Sequence, residues 1–232
     1  MSLEPSQLHT WSYFQNQAAE VFQAAHPRLE FILRAARRLA RVSNPCLLNV
    51  GVGDGYLEKM ACSLGWSVHS LDPDAEAANK LADQGIEATT GSIDAMPFPD
   101  SRFDFVVTSE VLEHLTEEQR QKGISEIKRT LKSGGYLIGT VPYQEDLRLG
   151  VDVCPKCRHV FHRWGHTTAF GLATVRDMVS PYLEVVSCRP TAFVDFRSRS
   201  FSGKVKGIAR LILANFGAAI AVPTVFFVAK KP

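Results

Sequence analysis

The stretch that decides the fold is CLLNVGVGDGYLEKMA, residues 46–61, in which an apolar run leads into three glycines and then into a helical pattern. The apolar run predicts a buried strand, and the residues after the glycines predict a helix. Gly51, Gly53 and Gly55 permit a sharp turn and let a ligand lie against the main chain. The helix that follows points its free N–H groups at whatever binds there.

The alternation of strand and helix continues along the rest of the chain. Strands are predicted at about 46–51, 67–72, 86–91, 103–109, 135–142, 183–188 and 224–229, and helices at about 56–64, 75–82, 117–131 and 172–180. This rhythm is typical of βαβ units, and it predicts an α/β protein with a mostly parallel sheet and helices on both faces.

Three segments depart from this rhythm, but none of them is separated by a low-complexity linker, so one domain is predicted over 1–232. Residues 1–44 predict an N-terminal helical cap. Residues 143–170 predict an inserted loop rich in cysteine and histidine. Residues 197–222 contain a basic amphipathic helix before the last strand.

Composition narrows the functional class. The chain has 232 residues, of which 45% are hydrophobic, and 26 basic residues balance 24 acidic ones, for a net charge of +2. This near-neutral balance argues against nucleic acid as a partner. The N-terminus lacks a basic region followed by an apolar run, so a cytoplasmic location is expected, with reduced cysteines.

Asp72 indicates which kind of ligand the glycine loop binds. It ends the second strand, seventeen residues after Gly55, where an acid hydrogen-bonds a ribose hydroxyl in folds of this kind. A glycine loop followed by such an acid predicts a nucleoside ligand. The spacing G-x-G-x-G differs from the G-x-G-x-x-G of dinucleotide sites, because Tyr56 stands where the third glycine would be.

Several further segments occur in the order found in one superfamily. NVGVGDG, GSIDAMPFPDSRFDFV, SEVLEHL and LKSGGYLIGTVP together resemble the class I S-adenosylmethionine-dependent methyltransferases over roughly residues 45–142. The resemblance implies a Rossmann-like seven-stranded sheet with an antiparallel final strand, and S-adenosyl-L-methionine as cofactor. It implies cofactor contacts at Asn49, Gly51, Gly53, Gly55, Asp72, Pro73, Ile93, Asp94, Ser109 and Glu110.

One position differs from the superfamily pattern. Many members carry an acid two residues before the first glycine, where this chain has Asn49. An amide can both donate and accept hydrogen bonds, so binding of the methionine part of the cofactor is still expected.

The residues at the end of the fourth strand suggest how methyl transfer is assisted. Glu110, Glu113 and His114 form an E-x-x-E-H pattern that resembles two groups of metal-assisted O-methyltransferases, one making ubiquinone and one methylating small RNAs. In those groups the three side chains hold a divalent ion, and carboxylates suit Mg²⁺. Alternatives are that His114 or a loop histidine acts as general base, or that the pattern is structural.

The inserted loop contains CPKCRHVFHRWGH, residues 154–166. Cys154, Cys157, His162 and His166 have the spacing of a Cys₂His₂ zinc site, with His159 as a substitute ligand. Two other interpretations remain: a lid made of ordinary surface residues, and a loop whose histidines join the E-x-x-E-H residues around one ion. Phe161, Trp164 and Phe170 of the loop, and Trp11, Tyr13 and Phe14 of the cap, are candidate walls of the acceptor site.

The C-terminal segment provides a clue to where the acceptor is found. The helix over 203–216 has basic residues around an apolar face, as do helices that lie on anionic membranes, although a solvated face on a core helix fits the same pattern. The uncharged run at 211–229 contains Gly217 and Pro223, which favours a helix leading into a buried strand over a membrane span.

Taken together, the sequence predicts an S-adenosylmethionine-dependent methyltransferase acting on an oxygen of a small-molecule, lipid or glycan acceptor. His114, Glu110 and Glu113 are the predicted catalytic residues. The alternatives are a nucleotide-dependent oxidoreductase and a non-catalytic binding module stapled by zinc.

Overall fold

The structure of the protein is a computed structural model that describes residues 5–193 and 224–232. Its strands are β1 (Cys46–Val50), β2 (Ser67–Asp72), β3 (Glu87–Thr90), β4 (Phe103–Ser109), β5 (Leu131–Pro142), β6 (Val151–Val153), β7 (Val160–His162), β8 (Glu184–Thr191) and β9 (Thr224–Lys230). Its α-helices are α1 (Pro5–Gln17), α2 (His26–Leu39), α3 (Tyr56–Ser63), α4 (Ala75–Ala82), α5 (Glu117–Thr130) and α6 (Leu172–Val179).

Seven strands form one sheet in the order β3-β2-β1-β4-β5-β9-β8. The strands β1 to β5 pair in parallel, whereas β9 runs antiparallel to both of its neighbours, β5 and β8. The predicted α/β class, the seven-stranded sheet and the antiparallel final strand are confirmed. The strand β5 begins earlier than predicted, at Leu131, because the chain becomes extended directly after α5 and pairs with β4 across a register shift.

Helices cover both faces of the sheet, as the apolar periodicity predicts. On one face, α2, α3 and α4 bury Ile32, Leu57 and Leu81 against the strands. On the other face, α5 and α6 bury Ile124 and Val175. Burial of these apolar side chains on both faces is the main force that holds the layers together.

The order of the strands reverses between β1 and β4, because the chain moves outward from β1 to β3 and then returns to the other side of β1. In open α/β sheets, ligands bind in the crevice beyond the carboxyl ends of the strands at such a reversal. The glycine loop, Asp72 and Ser109 all lie at this edge, since each follows or ends one of these strands.

The N-terminal cap lies over this edge of the sheet. The helix α1 is followed by a 3₁₀ helix, Ala19–Ala25, and then by α2, which has Pro27 in its first turn. The side chain of Lys80 on α4 donates to the carbonyl oxygen of Asn16 (3.2 Å) and to its side-chain oxygen (2.9 Å), so the cap is tied to the body of the domain.

The inserted segment forms a small substructure of its own. A 3₁₀ turn, Leu147–Gly150, leads into the hairpin of β6 and β7. The backbone N–H of Gln144 donates to the carbonyl of Phe170 (2.7 Å), which closes the segment at its base. The predicted basic helix over 203–216 falls outside the described residues. Among the helices of the described ranges, none combines the length and the hydrophobicity that a membrane-spanning helix requires.

Candidate active site

A cavity of about 470 Å³ opens beyond the carboxyl ends of β1, β2 and β4. Eight of the ten predicted cofactor contacts line it: Asn49, Gly51, Gly53, Asp72, Pro73, Ile93, Ser109 and Glu110. The other two, Gly55 and Asp94, lie outside its wall. Gly55 begins α3 in the left-handed conformation, and the carboxylate of Asp94 accepts a hydrogen bond from the hydroxyl of Ser92.

Gly51 shows why the loop requires glycine. Its φ angle is +85°, and a Cβ at this position would lie 2.9 Å from Cγ2 of Val111. A side chain would therefore be strained by the backbone and would also clash with the segment after β4. The N–H of Gly51 donates to the carbonyl of Leu71 (2.9 Å), which holds the loop against the end of β2.

Asp72 is fixed by three donors. Its Oδ2 accepts from the backbone N–H of Val52 and from the side-chain amide of Gln15, each at 2.9 Å, and its Oδ1 accepts from the N–H of Asp74 at 2.9 Å. Burial raises the pKa of Asp72, and the hydrogen bonds from Val52 and Asp74 oppose that shift. The carboxylate is thus a preorganised acceptor at the wall of the cavity. The partner Gln15 comes from the cap and was not among the predicted residues.

Behind the glycine loop, Asn49 is paired with a buried acid. Its side-chain amide donates to Oε1 of Glu58 (2.7 Å) and to the carbonyl of Gly51 (3.0 Å), and the hydroxyl of Ser70 also donates to Oε1 of Glu58 (2.9 Å). Burial raises the pKa of Glu58 to about 7. Many superfamily members have an acid at position 49. This chain has Asn49 there, and the Asn49 amide is hydrogen-bonded to an acid on α3, Glu58.

Glu110 and Arg28 face each other at the end of β4. The φ angle of Glu110 is +57°, an uncommon value for a residue with a side chain, and such strain is often found at functional sites. A guanidinium nitrogen of Arg28 lies 4.0 Å from Oε2 of Glu110, and Nε of Arg28 donates to the hydroxyl of Ser109 (3.0 Å). Arg28 was not predicted, because a single arginine on an amphipathic helix carries no signal.

Next to them lies a cluster of potential metal ligands, Glu113, His114 and His166, whose ligand atoms lie within 4.8 Å of one another. Glu113 is fully buried, and no other described residue donates a hydrogen bond to either of its carboxylate oxygens. Burial, followed by the charge of Glu110, raises the pKa of Glu113. Burial, followed by His166, lowers the pKa of His114 to about 3, so its imidazole is neutral near pH 7.

His166 also belongs to a second cluster, with Glu145 and His162. Its Nδ1 lies 2.5 Å from Oε2 of Glu145, and its backbone N–H donates to Nδ1 of His162 (3.1 Å). The Nε2 of His162 lies 3.6 Å from Oε1 of Glu145. A carboxylate bonded to one ring nitrogen leaves the other free for a ligand, an arrangement that is common behind metal-binding histidines. Glu145 was not predicted, since it stands in no recognisable motif.

The predicted set of two cysteines and two histidines is divided in the structure. His162 and His166 both lie beside Glu145, and His166 also lines the cavity, whereas neither cluster of potential ligands within the described residues includes Cys154 or Cys157. The register of the hairpin explains this division. His162 is paired with Val151, at the end of the hairpin away from the tip that carries the cysteines.

Only some of the aromatic residues that were predicted to line the acceptor site do so. Trp11 and Trp164 line the cavity, and the ring of Trp11 packs edge-on against His114 with centroids 4.8 Å apart. Phe14 bridges the cap and the inserted segment, with its ring 5.8 Å from that of Trp164. Phe170 is instead buried in the main core, and Phe161 and Tyr13 are exposed, so these three expectations are wrong.

Residues 48–139 match the family model of a methyltransferase domain. This stretch is a class I S-adenosylmethionine-dependent methyltransferase domain. The protein is a methyltransferase, and the oxidoreductase alternative is set aside. An uncharacterized methyltransferase of Anoxybacillus flavithermus is 26% identical over 155 residues, which cover 55% of this chain and 72% of that protein.

Two further comparisons define how far the similarity of this methyltransferase extends. A probable S-adenosylmethionine-dependent methyltransferase of Mycolicibacterium smegmatis is 31% identical over 109 residues, which cover 46% of this chain and 42% of that protein. A methyltransferase in complex with the Trm112 activator of Haloferax volcanii has the same fold, with a TM-score of 0.69, 17% identity and coverage of 96% and 97% of the two chains. The chain thus spans less than half of the Mycolicibacterium relative.

Proposed function

We propose that this methyltransferase transfers the methyl group to an oxygen atom of its acceptor, with the help of a divalent ion held by Glu113, His114 and His166. The observation that carries the proposal is the buried carboxylate of Glu113, to which no other residue in the described part of the chain donates a hydrogen bond. An unpaired buried carboxylate is costly, and coordination of a cation removes that cost.

The chemistry of the three side chains fits an ion. His114 stays neutral and so keeps a lone pair for coordination, as described above. His166 is oriented by Glu145 through its Nδ1. Carboxylate together with two imidazoles suits Zn²⁺ or Mn²⁺ better than Mg²⁺, which prefers oxygen ligands. The expected ion therefore differs from the Mg²⁺ that the E-x-x-E-H pattern alone favours.

The chain's own residues account for the rest of the reaction. Asp72 is the acceptor for the ribose hydroxyls, and the bare main chain at Gly51 and Gly53 accommodates the methionine part. When bound, the ion would lower the pKa of an acceptor hydroxyl and hold its oxygen close to the methyl group. Trp11 and Trp164 line that end of the cavity and give it an apolar wall.

His114 is a weaker candidate for the general base. A histidine whose pKa is lowered to about 3 accepts a proton poorly near pH 7, although a neutral imidazole is a good ligand. Glu110 is better placed to take the proton of the acceptor, because its buried Oε1 has no partner among the described side chains and its Oε2 lies 4.0 Å from a guanidinium nitrogen of Arg28.

The acceptor that we propose is a small molecule, or the end of a lipid or glycan. The cavity of about 470 Å³ has to hold the cofactor as well, so it admits only the reacting part of a larger acceptor. Peripheral membrane contact through residues 203–216 stays a prediction, which sedimentation of the full chain with anionic vesicles tests.

The experiment uses S-adenosylmethionine labelled on the methyl group and fractionated cell extracts as the source of acceptor. Labelled product should form with the native protein, should be lost after chelation, and should return with Mn²⁺ or Zn²⁺. Glu113→Gln should form no labelled product even when Mn²⁺ or Zn²⁺ is added. Glu118→Gln, an exposed position on α5, should behave as the native chain. A methylated nitrogen or carbon in the product, or full activity under chelation, would contradict the proposal.

A further inference from the structure

The tip of the β6–β7 hairpin carries two cysteines that the active site does not use. The backbone N–H of Cys154 donates to the carbonyl of His159 (2.8 Å), and the N–H of Arg158 donates back to the carbonyl of Cys154 (2.9 Å). Arg158 adopts a φ of +61°, which completes the tight turn. The turn places Cys154 and Cys157 side by side at the outer end of the hairpin, away from the cavity.

The two thiols are arranged as ligands for a soft ion. The sulfur of Cys154 accepts hydrogen bonds from the backbone N–H groups of Lys156 and Cys157 and is hydrogen-bonded to the thiol of Cys157. Donors of this kind stabilise a thiolate, which is the form that binds metal. An isolated two-stranded hairpin is marginally stable, and a bound ion would fix it.

Within the described residues, no cluster of three or more potential metal ligands includes Cys154 or Cys157. His162 and His166 belong to the cluster around Glu145, at the other end of the hairpin. The other cysteines, Cys46, Cys62 and Cys188, lie in β1, α3 and β8. The sequence from 194 to 223, outside the described residues, contains no cysteine and no histidine.

A structural zinc site requires four ligands in a tetrahedron, so this hairpin holds half of one. We propose that Cys154 and Cys157 of two copies of this chain bind one Zn²⁺ between them, joining the two hairpin tips about a twofold axis. A twofold axis pairs the same surface of each copy, which supplies the two missing thiolates without any other ligand.

The surroundings of the cysteines fit this occupant. Four thiolates and one Zn²⁺ leave a net charge of −2, and each tip contributes the exposed cations Lys156 and Arg158 to offset it. The neighbouring side chains of Val153 and Val160 are 58% and 59% exposed, although they are apolar. Joining the two tips would remove part of this apolar surface from water.

The test uses the full-length protein, reduced and stripped of metal, and titrated with Zn²⁺ or Co²⁺ while its mass is followed by sedimentation. We expect a dimer to form with one thiolate-bound ion per two chains, and the Co²⁺ form to show sulfur-to-cobalt charge-transfer absorption. Cys154→Ser together with Cys157→Ser should remove both the dimer and the absorption. Each thiol releases a proton on binding, so the affinity should weaken at low pH.

Two variants separate this site from the metal site of the proposed function. Glu113→Gln alters the cavity but not the hairpin, so metal-induced dimerisation should persist in that variant even where metal-dependent methyl transfer is lost. His159→Ala removes the nearest other imidazole and should leave the dimer intact. One thiolate-bound ion per monomer, loss of the site in His159→Ala, or a protein that gives no thiolate absorption at all would each overturn the proposal.

Discussion

Gln15 of the cap donates a hydrogen bond of 2.9 Å to Oδ2 of Asp72, the carboxylate that is expected to hold the ribose of the cofactor. The helix α1 therefore contacts the cofactor site directly, at an acceptor that a ribose hydroxyl would also use. The same helix packs Trp11 against His114 on the acceptor side of the cavity. The cap thus touches both halves of the site, and we expect binding of the cofactor to depend on the position of the cap.

Replacement of Asp72 by asparagine should weaken cofactor binding strongly. The substitution keeps the shape but replaces one acceptor oxygen with a donor, which faces the N–H of either Val52 or Asp74. Loss of hydrogen bonds to a charged group costs about 1.5–3 kcal/mol, so the Kd for S-adenosylhomocysteine should rise roughly ten- to hundredfold in calorimetry. Asp83→Asn, at an exposed position outside the cavity wall, is the matched control. Unchanged affinity in Asp72→Asn would remove Asp72 from the cofactor site.

Replacement of Gln15 by alanine should have the opposite effect. If the ribose takes the position of the Gln15 amide, the native chain has to break that hydrogen bond when the cofactor binds. Its removal should tighten binding of S-adenosylhomocysteine by about two- to tenfold, which corresponds to one hydrogen bond. Gln17→Ala, exposed on the same helix, controls for effects on α1 itself. Weaker binding in Gln15→Ala would mean that the amide contacts the cofactor instead of competing with it.

The sheet was predictable because each part of it carries a local signal. The apolar runs of β1 and β4 and the apolar faces of α2 and α5 mark their own positions, and their alternation leaves few topologies. The positions of the glycine loop and of Asp72 at one edge follow from the parallel sheet alone. The boundaries of β5 and β8 were less certain, because they depend on pairing with strands that are distant in sequence.

The candidate site was only partly predictable, for a related reason. Glu113, His114 and His166 were identified as candidate catalytic or metal-binding residues, but their spacing did not reveal which of them could bind the same ion. The spacing of the loop suggested one zinc site, whereas the pairing of Val151 with His162 sends the histidines and the cysteines to opposite ends of a hairpin. Gln15, Arg28 and Glu145 reach the site through tertiary packing and carry no motif.

Glu145 acts through His166, and its replacement by glutamine should weaken the metal site. The neutral amide can no longer act as a charged acceptor for Nδ1 of His166, so the ring loses its orientation toward Glu113 and His114. Loss of such a supporting carboxylate typically costs about ten- to hundredfold in metal affinity. Binding of Mn²⁺, followed by electron paramagnetic resonance in the presence of S-adenosylhomocysteine, measures the change without knowledge of the acceptor.

The control for this comparison is Glu118→Gln, an exposed acid on α5 that removes the same charge far from the histidines. Both variants should bind S-adenosylhomocysteine as the native chain does, because neither residue lines the cavity. Equal Mn²⁺ affinity in the two variants would show that His166 needs no support from Glu145, or that it is not a ligand.

Glu58 should make the stability of the protein depend on pH. Burial raises its pKa from 4.5 to about 7 in the folded protein, so the folded state holds a proton that the unfolded state has lost between these values. The free energy of unfolding should therefore fall as the pH rises from about 4.5 to 7 and then level off for this group.

Glu58→Gln keeps an acceptor for Asn49 and Ser70 and removes the titration, so it should be more stable than the native chain at pH 8 and similar to it at pH 5. Each pKa unit is worth about 1.4 kcal/mol, and the two pKa values differ by about 2.5 units, so the difference at pH 8 should be on the order of 3 kcal/mol. Urea denaturation of both chains at the two pH values isolates this residue, because Asp72, His69 and His162 titrate alike in both. A difference that is the same at pH 5 and pH 8 would mean that Glu58 remains ionised in the folded protein.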